Sequence, residues 1–339
     1  MLVRRLLQWG AVCAMLCVAS VLAACGSGGA SSGPASPASD APSAGQPAAA
    51  QDAGSSTHGG DQKLVAVSFA VLADIVQNIG RGRIEVWSVT PPGSNPHDYE
   101  VTPQDLVRLV EADYLITVGG HFEAFAERTA WRRAAREAAL PTLVVTDSID
   151  VIIRDLVVDH GDHTHDYRGG DPHFWLDPQR VIELIPVIAT GLASVDPEGE
   201  DLYRANGERY AAQVRALDAE MEAAIQTIPP ARRVLVVQHD AYGYLAARFG
   251  FEVLGSILPS DGEGETSVAA LASLYDRVEQ AGVPAVFREP QYESSILDQL
   301  ARDQGITVGV LMTDAFTEDA PTYLDLIRFN MRSLVAHLR

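Results

Sequence analysis

"EVWSVTPPGSNPHDYEVTPQDLVRLVEADYLITVG", residues 85–119, holds the pattern on which the fold turns. "EVWSVT" (85–90) reads as a strand, "VTPQDLVRLVEA" (101–112) as a helix, and "YLITVG" (114–119) as a strand again. The alternation continues outward. "LVAVS" (64–68) and "TLVVTD" (142–147) are further strands, with "FEAFAERTAWRRAAREA" (122–138) as the helix before the latter. Strands alternating with helices predict a parallel sheet covered on both faces.

The second half repeats the style. "RVLVVQ" (233–238), "EVLGSI" (252–257), "AVFRE" (285–289) and "TVGVLM" (307–312) alternate with "AYGYLAARFG", "SVAALASLYDRVEQAG" and "ILDQLARDQG". Two α/β lobes follow, over 63–195 and 231–339. No strong internal sequence repeat relates them. Between them, residues 196–230 predict one long helix, with Asp196 as its cap and Pro197 at its first position. Leu202, Tyr203, Tyr210, Val214, Leu217, Met221, Ile225 and Ile228 recur at mostly three- and four-residue steps. About 30 helical residues make a rod of roughly 45 Å, enough to run beside both lobes.

Composition sets the outer limits. The chain has 339 residues, 47% of them hydrophobic, and a net charge of −20 from 45 acidic and 25 basic side chains. That excess argues against nucleic acid, whose phosphates need a cationic face. It is compatible with a cation ligand, and equally with a solvated acidic surface. No GxxxxGK motif occurs and Lys63 is the sole lysine, so nucleotide hydrolysis is not expected.

The N-terminus has its own logic. Arg4 and Arg5 precede an apolar run from Leu6 that closes at "LAAC" (22–25). This looks like a bacterial lipoprotein signal, 1–24, with lipid on Cys25; the rival reading is a transmembrane anchor. Cleavage there removes Cys13 and Cys17, and leaves neither a disulfide nor a thiolate metal site. Residues 25–62, rich in Gly, Ser, Pro and Ala, read as a disordered tether, and His58 as a polar linker residue.

Four stretches each place a metal-capable side chain just after a strand or in a loop entering a helix: "PPGSNPHDYEVTPQDL" with His97, "DPHFWLDPQR" with His173, "VVQHDAYGYLAARFG" with His239 and "GVLMTDAF" with Asp314. In open α/β sheets the carboxyl ends of strands line the ligand crevice. Two such lobes facing each other bring all four groups to one cleft. Imidazole and carboxylate suit zinc, and four protein ligands close a tetrahedral shell without a position for activated water. Manganese prefers more oxygen and higher coordination.

At "GSNPHDYEVTPQDL", "DPHFWLDP", "QHDAYGYLAARFG", "FREPQ" and "TDAFTEDAPTYLDLIRFN", the chain resembles the solute-binding lipoproteins of bacterial zinc and manganese ABC importers. The resemblance covers about residues 63–339 in conserved motif order. It implies two Rossmann-like lobes with parallel sheets joined by a long helix, and a metal in the cleft held by His97, His173, His239 and Asp314. Manganese-type relatives usually carry Glu where this chain has His239, which favours Zn2+ and leaves Mn2+, or iron, as the alternative. It further implies a membrane permease with a cytoplasmic ATPase as partners, an extracytoplasmic, lipid-anchored location, and a monomer.

Other residues carry two readings. Glu289 either orients a histidine through its second nitrogen or pairs with an arginine. Asp98 and Asp240 either support the neighbouring histidines or cap helices. His121 is taken as a bystander and Trp175 as core or cleft wall. "DHGDHTHD" (159–166), with His160, His163 and His165, has no apolar periodicity and reads as an auxiliary, weakly chelating loop, or as a merely solvated one. Zinc-type members of the family often carry such a loop.

Two other function classes remain: a zinc enzyme, which needs an open coordination position that Asp314 is placed to fill, and a surface adhesin. Free imidazole titrates near pH 6.5, so metal affinity is expected to fall steeply below about pH 6.

Overall fold

The computed structural model describes residues 62–120, 122–123, 131–150, 157–159, 164–166, 170–259 and 267–339. Cys25, the segments expected as signal and tether before Gln62, His121, His160 and His163 lie outside the described residues.

Two four-stranded sheets, parallel throughout, form the frame. The first is built from β1 (Lys63–Val67), β2 (Ile84–Ser88), β3 (Tyr114–Thr117) and β4 (Thr142–Val144), in the order β2-β1-β3-β4. A short antiparallel hairpin follows, β5 (Val157–Asp159) with β6 (Thr164–Asp166), which sets His165 opposite Val158. The segment 159–166, read as a loop because it lacks apolar periodicity, therefore carries paired backbone at Asp159 and Thr164–Asp166, because ladder pairing needs no apolar side-chain pattern. The second sheet holds β7 (Val234–His239), β8 (Glu252–Leu258), β9 (Ala285–Arg288) and β10 (Thr307–Val310), in the order β10-β9-β7-β8. Taken from its first strand, each sheet has the same topology, so the lobes repeat in architecture without repeating in sequence.

The strands bury both faces by period-two alternation. In β1, Val65 and Val67 join the large core that spans both lobes, while Leu64 and Ala66 face a second cluster with Trp87, Leu109 and Trp131. In β7, Leu235 and Val237 share that large core, and Val236 packs with Ile257, Leu274 and Leu297 on the outer face. Three helices of the second lobe, Gly243–Phe249, Val268–Ala281 and Ser295–Gln304, stop at glycines in the left-handed region: Gly250 (φ 72), Gly282 (φ 60) and Gly305 (φ 66). There a Cβ is penalised, and glycine ends the helix at low cost.

The long helix differs from expectation at its start. It runs Glu200–Ile225, 26 residues or about 39 Å, after a 3-10 turn at Pro197–Gly199. Asp196 makes no cap hydrogen bond there; its carboxylate is taken by Arg83 Nη2 at 2.8 Å and by the Tyr203 hydroxyl. Leu202 stays exposed at 41%, whereas the other apolar positions expected in its stripe are buried. The 3-10 turn displaces the helix start, and Leu202 falls on its open side. Three helices join those expected: Ala70–Gly80, Pro178–Val195 and Tyr323–Leu338. Pro178–Val195 and the long helix pack side by side against both lobes' shared core.

Candidate metal centre

Each of the four groups reaches the centre by a local device. His97 lies in the loop after β2, where its backbone N–H donates to Asn95 Oδ1 at 3.1 Å. The loop then enters the helix Pro103–Glu111 through a capping box, with Asp105 N–H on Thr102 Oγ1 and Thr102 N–H on Asp105 Oδ2. His173 stands at the head of a 3-10 turn, Phe174–Leu176. Asp171 Oδ1 accepts from its backbone N–H at 3.0 Å and lies 2.9 Å from its Nδ1. His239 is the last residue of β7, and Glu289 follows the last residue of β9, the two strands flanking the point where strand order reverses. Asp314 follows β10, on a segment held by Asn330, whose side chain accepts from Met312 N–H at 2.8 Å and donates to Met312 C=O at 2.7 Å.

The four side chains converge. His173 Nε2 lies 3.5 Å from His97 Nε2 and 3.4 Å from His239 Nε2. Asp314 Oδ2 is 3.4 Å from both His97 and His239 Nε2, and Oδ1 is 3.9 Å from His173 Nε2. All four residues are buried, at 1% exposure or less. Among the described residues the Asp314 oxygens face only the three imidazoles, His97 foremost. An isolated buried carboxylate is costly, and a cation among the four groups neutralises it. A tetrahedral shell of radius about 2.0–2.1 Å has edges of about 3.3–3.4 Å, so the observed spacings suit four ligand atoms around one small ion.

The outer contacts orient the rings. Glu289 Oε1 stands 2.6 Å from His239 Nδ1, while its Oε2 accepts from Gln291 Nε2 at 3.0 Å and from the Thr313 hydroxyl. Glu289 thus pairs with a histidine. A carboxylate on Nδ1 fixes the proton there and turns the Nε2 lone pair inward. Asp171 does the same for His173, a role unassigned from the sequence although Asp two residues before His, as an Asx-type turn, is a readable signal. Tyr292 lies against the His239 ring at 5.1 Å and Phe122 edge-on to His97 at 4.8 Å. Trp175 is fully buried. Asp98 is exposed, and Asp240 donates its backbone N–H to Leu258 C=O.

Protonation follows these contacts. Burial pushes the His97 imidazole below its ordinary value, against the opposing pull of Asp314. Burial works against a charge on His239 too, but the Glu289 carboxylate, then Asp314, outweigh it and raise the ring to about 9. Burial alone would raise Asp314; the His97 hydrogen bond and the charges of His239 and His173 hold it below the usual carboxylate range. The proton that competes with a metal at His239 is therefore far more tightly held than a free imidazole predicts, and the expected onset of affinity loss near pH 6 moves upward.

Known proteins share this frame. The family model described as "Zinc-uptake complex component A periplasmic" (ZnuA) matches residues 65–337. The manganese-binding lipoprotein MntA of Halalkalibacterium halodurans is 30% identical over 289 residues, covering 84% of this chain and 91% of that one. The iron-binding protein YfeA of Yersinia pestis is 29% identical over 275 residues, covering 80% and 84%. Among solved structures, the periplasmic zinc binding protein TroA of Treponema pallidum superposes with a TM-score of 0.71 at 25% identity, covering 82% of this chain and 99% of that chain. The relatives' names divide among three metals, and several of them are called lipoproteins, in agreement with an extracytoplasmic, anchored location. The chain belongs to the zinc-uptake complex component A (ZnuA) family, metal-binding substrate-binding proteins of ABC transporters rather than enzymes.

Proposed function

We propose that this protein captures zinc outside the cytoplasm, holds it with His97, His173, His239 and Asp314, and delivers it to the membrane permease of an ABC importer driven by a cytoplasmic ATPase. One observation carries the reading: three imidazole nitrogens and a carboxylate that faces only them, all buried, with their ligand atoms within 4.8 Å of one another. Nitrogen-rich, four-coordinate sites favour zinc over manganese in both geometry and intrinsic affinity. Glu289 is the group that orients His239.

The same reading makes 63–195 and 231–339 the two metal-binding lobes and 196–230 the link. Residues 1–24 are the export signal, Cys25 carries the lipid, and 25–62 are the tether. His160, His163 and His165 form a separate, weaker collector.

Competition dialysis tests the ion. Purified protein equilibrated with equal zinc and manganese is expected to retain one zinc, and retention of manganese instead would overturn the choice of metal. The variant with His97, His173 and His239 all changed to Ala is expected to lose that ion; unchanged stoichiometry and affinity would overturn the site.

A further inference from the structure

Beneath the four groups, a second set of side chains ties the segment bearing His173 to the one bearing Asp314. Trp175 follows His173 in the 3-10 turn, and its indole N–H donates to the carbonyl of Thr313 at 3.0 Å. Thr313 immediately precedes Asp314. The Tyr323 hydroxyl donates to the carbonyl of Trp175 at 2.9 Å. Asn330 clasps both main-chain groups of Met312. Trp175, Thr313, Tyr323 and Asn330 all have no solvent exposure. The peptide 312–314 is thus bonded from its own lobe by Asn330 and from the other lobe by Trp175, while Trp175 is bonded back by Tyr323.

We infer that the Trp175 indole N–H is a positioning group that sets the Asp314 carboxylate against the three histidines, and so confines the site to a small, four-coordinate ion. The inference rests on the metal-capture reading above. Its logic is steric. A six-coordinate ion needs two further ligand atoms: one that Asp314 supplies by turning to bind through both oxygens and one from water, or both from water. Either requires residues 313–314 to withdraw from the histidines. The indole bond to Thr313 opposes that withdrawal, and it does so without an ion, because donor and acceptor both belong to the protein. Indole is donor only, and a buried carbonyl left without it costs free energy, so the tie has no cheap alternative.

The test is Trp175→Phe, which keeps an aromatic ring and removes the donor. The zinc-over-manganese affinity ratio is expected to fall about tenfold or more. Cobalt(II), bound in place of zinc, reports the shell directly: intense visible bands mark a tetrahedral ion and faint ones a six-coordinate ion. Wild-type protein is expected to give the intense spectrum, and Trp175→Phe a weaker one. Phe174→Leu, which disturbs packing next door and leaves the hydrogen bond, is expected to lower the melting temperature while keeping ratio and spectrum. Tyr323→Phe, which removes a single hydroxyl, is expected to move both readouts in the direction of Trp175→Phe and decides the matter if that variant fails to fold. Unchanged ratio and spectrum in Trp175→Phe, or in Tyr323→Phe if only that variant folds, overturn the inference while leaving the capture function standing. So does an equal change in Phe174→Leu. Wild-type protein that binds neither zinc nor cobalt overturns the capture function and the inference together.

Discussion

His239 and Glu289 meet across the switch point of the second sheet. Val237 of β7 pairs with Phe287 of β9, and two residues further along each strand Nδ1 stands 2.6 Å from Oε1, with both side chains sealed from solvent. The parallel register alone puts the imidazole beside its carboxylate. Burial disfavours the imidazolium, yet the pairing raises it from 6.5 to about 9.

The direction of the pH effect follows. A raised histidine stabilises the metal-free fold fully below about pH 6.5, and that contribution is lost as pH rises through about 9. Metal affinity moves the other way, since the ion must displace the proton. Calorimetry in buffers of different ionisation enthalpy is expected to show about one proton released from His239 per ion at pH 7, declining through pH 9. Release that stays constant from pH 7 to pH 10 would contradict the assignment.

Asp171 holds His173 through both its backbone N–H and its Nδ1. Asp171→Ala and Glu289→Gln are each expected to weaken zinc binding by about 10–100-fold with the stoichiometry unchanged. A chelator-competition titration measures this, and wild-type affinity in both variants would show that ring orientation is set elsewhere.

Arg248 joins three parts of the chain. Its Nη2 lies 3.0 and 2.8 Å from the two oxygens of Asp218 on the long helix, and Nε lies 3.8 Å from Asp177 at the start of Pro178–Val195. Arg248→Ala leaves Asp218 with Gln179 and Asp177 with Arg180 and the Gln179 N–H, and is expected to cost about 2 kcal/mol in urea unfolding, seen as a lower midpoint at unchanged slope. A loss within about 0.5 kcal/mol would place the network among surface pairs.

Zinc is expected to stabilise the fold by mass action. At a free concentration about 1,000 times the dissociation constant the gain is about 4 kcal/mol, read as a raised melting temperature and reversed by a chelator. The variant with all three histidines replaced by Ala is expected to show no zinc-dependent shift; an equal shift in both proteins would put the stabilising ion at another site.

Much of this was readable in the chain because it is local. Strands such as "RVLVVQ" carry their period-two burial in side-chain type, and the glycines after three helices mark their ends by a conformation other residues avoid. The helices Ala70–Gly80, Pro178–Val195 and Tyr323–Leu338 were harder. Most of Ala70–Gly80 is buried against the shared core, which blurs its amphipathic contrast, and Pro186 inside Pro178–Val195 reads as a helix breaker.

The ligand candidates stood out as histidines and an aspartate at strand ends, and their motif order carried the family resemblance. Sequence by itself determined the α/β alternation, the long helix, the acidic composition that argues against nucleic acid, and which side chains could serve as nitrogen and oxygen donors. Only the tertiary structure decided that Asp171 serves His173, that Glu289 serves His239 rather than an arginine, and that Trp175 bonds to the residue before Asp314. The Glu289 and Trp175 contacts join positions 50 and 138 residues apart, and their hydrogen-bond partners and burial exist only once the folded chain has brought such positions within 3.0 Å.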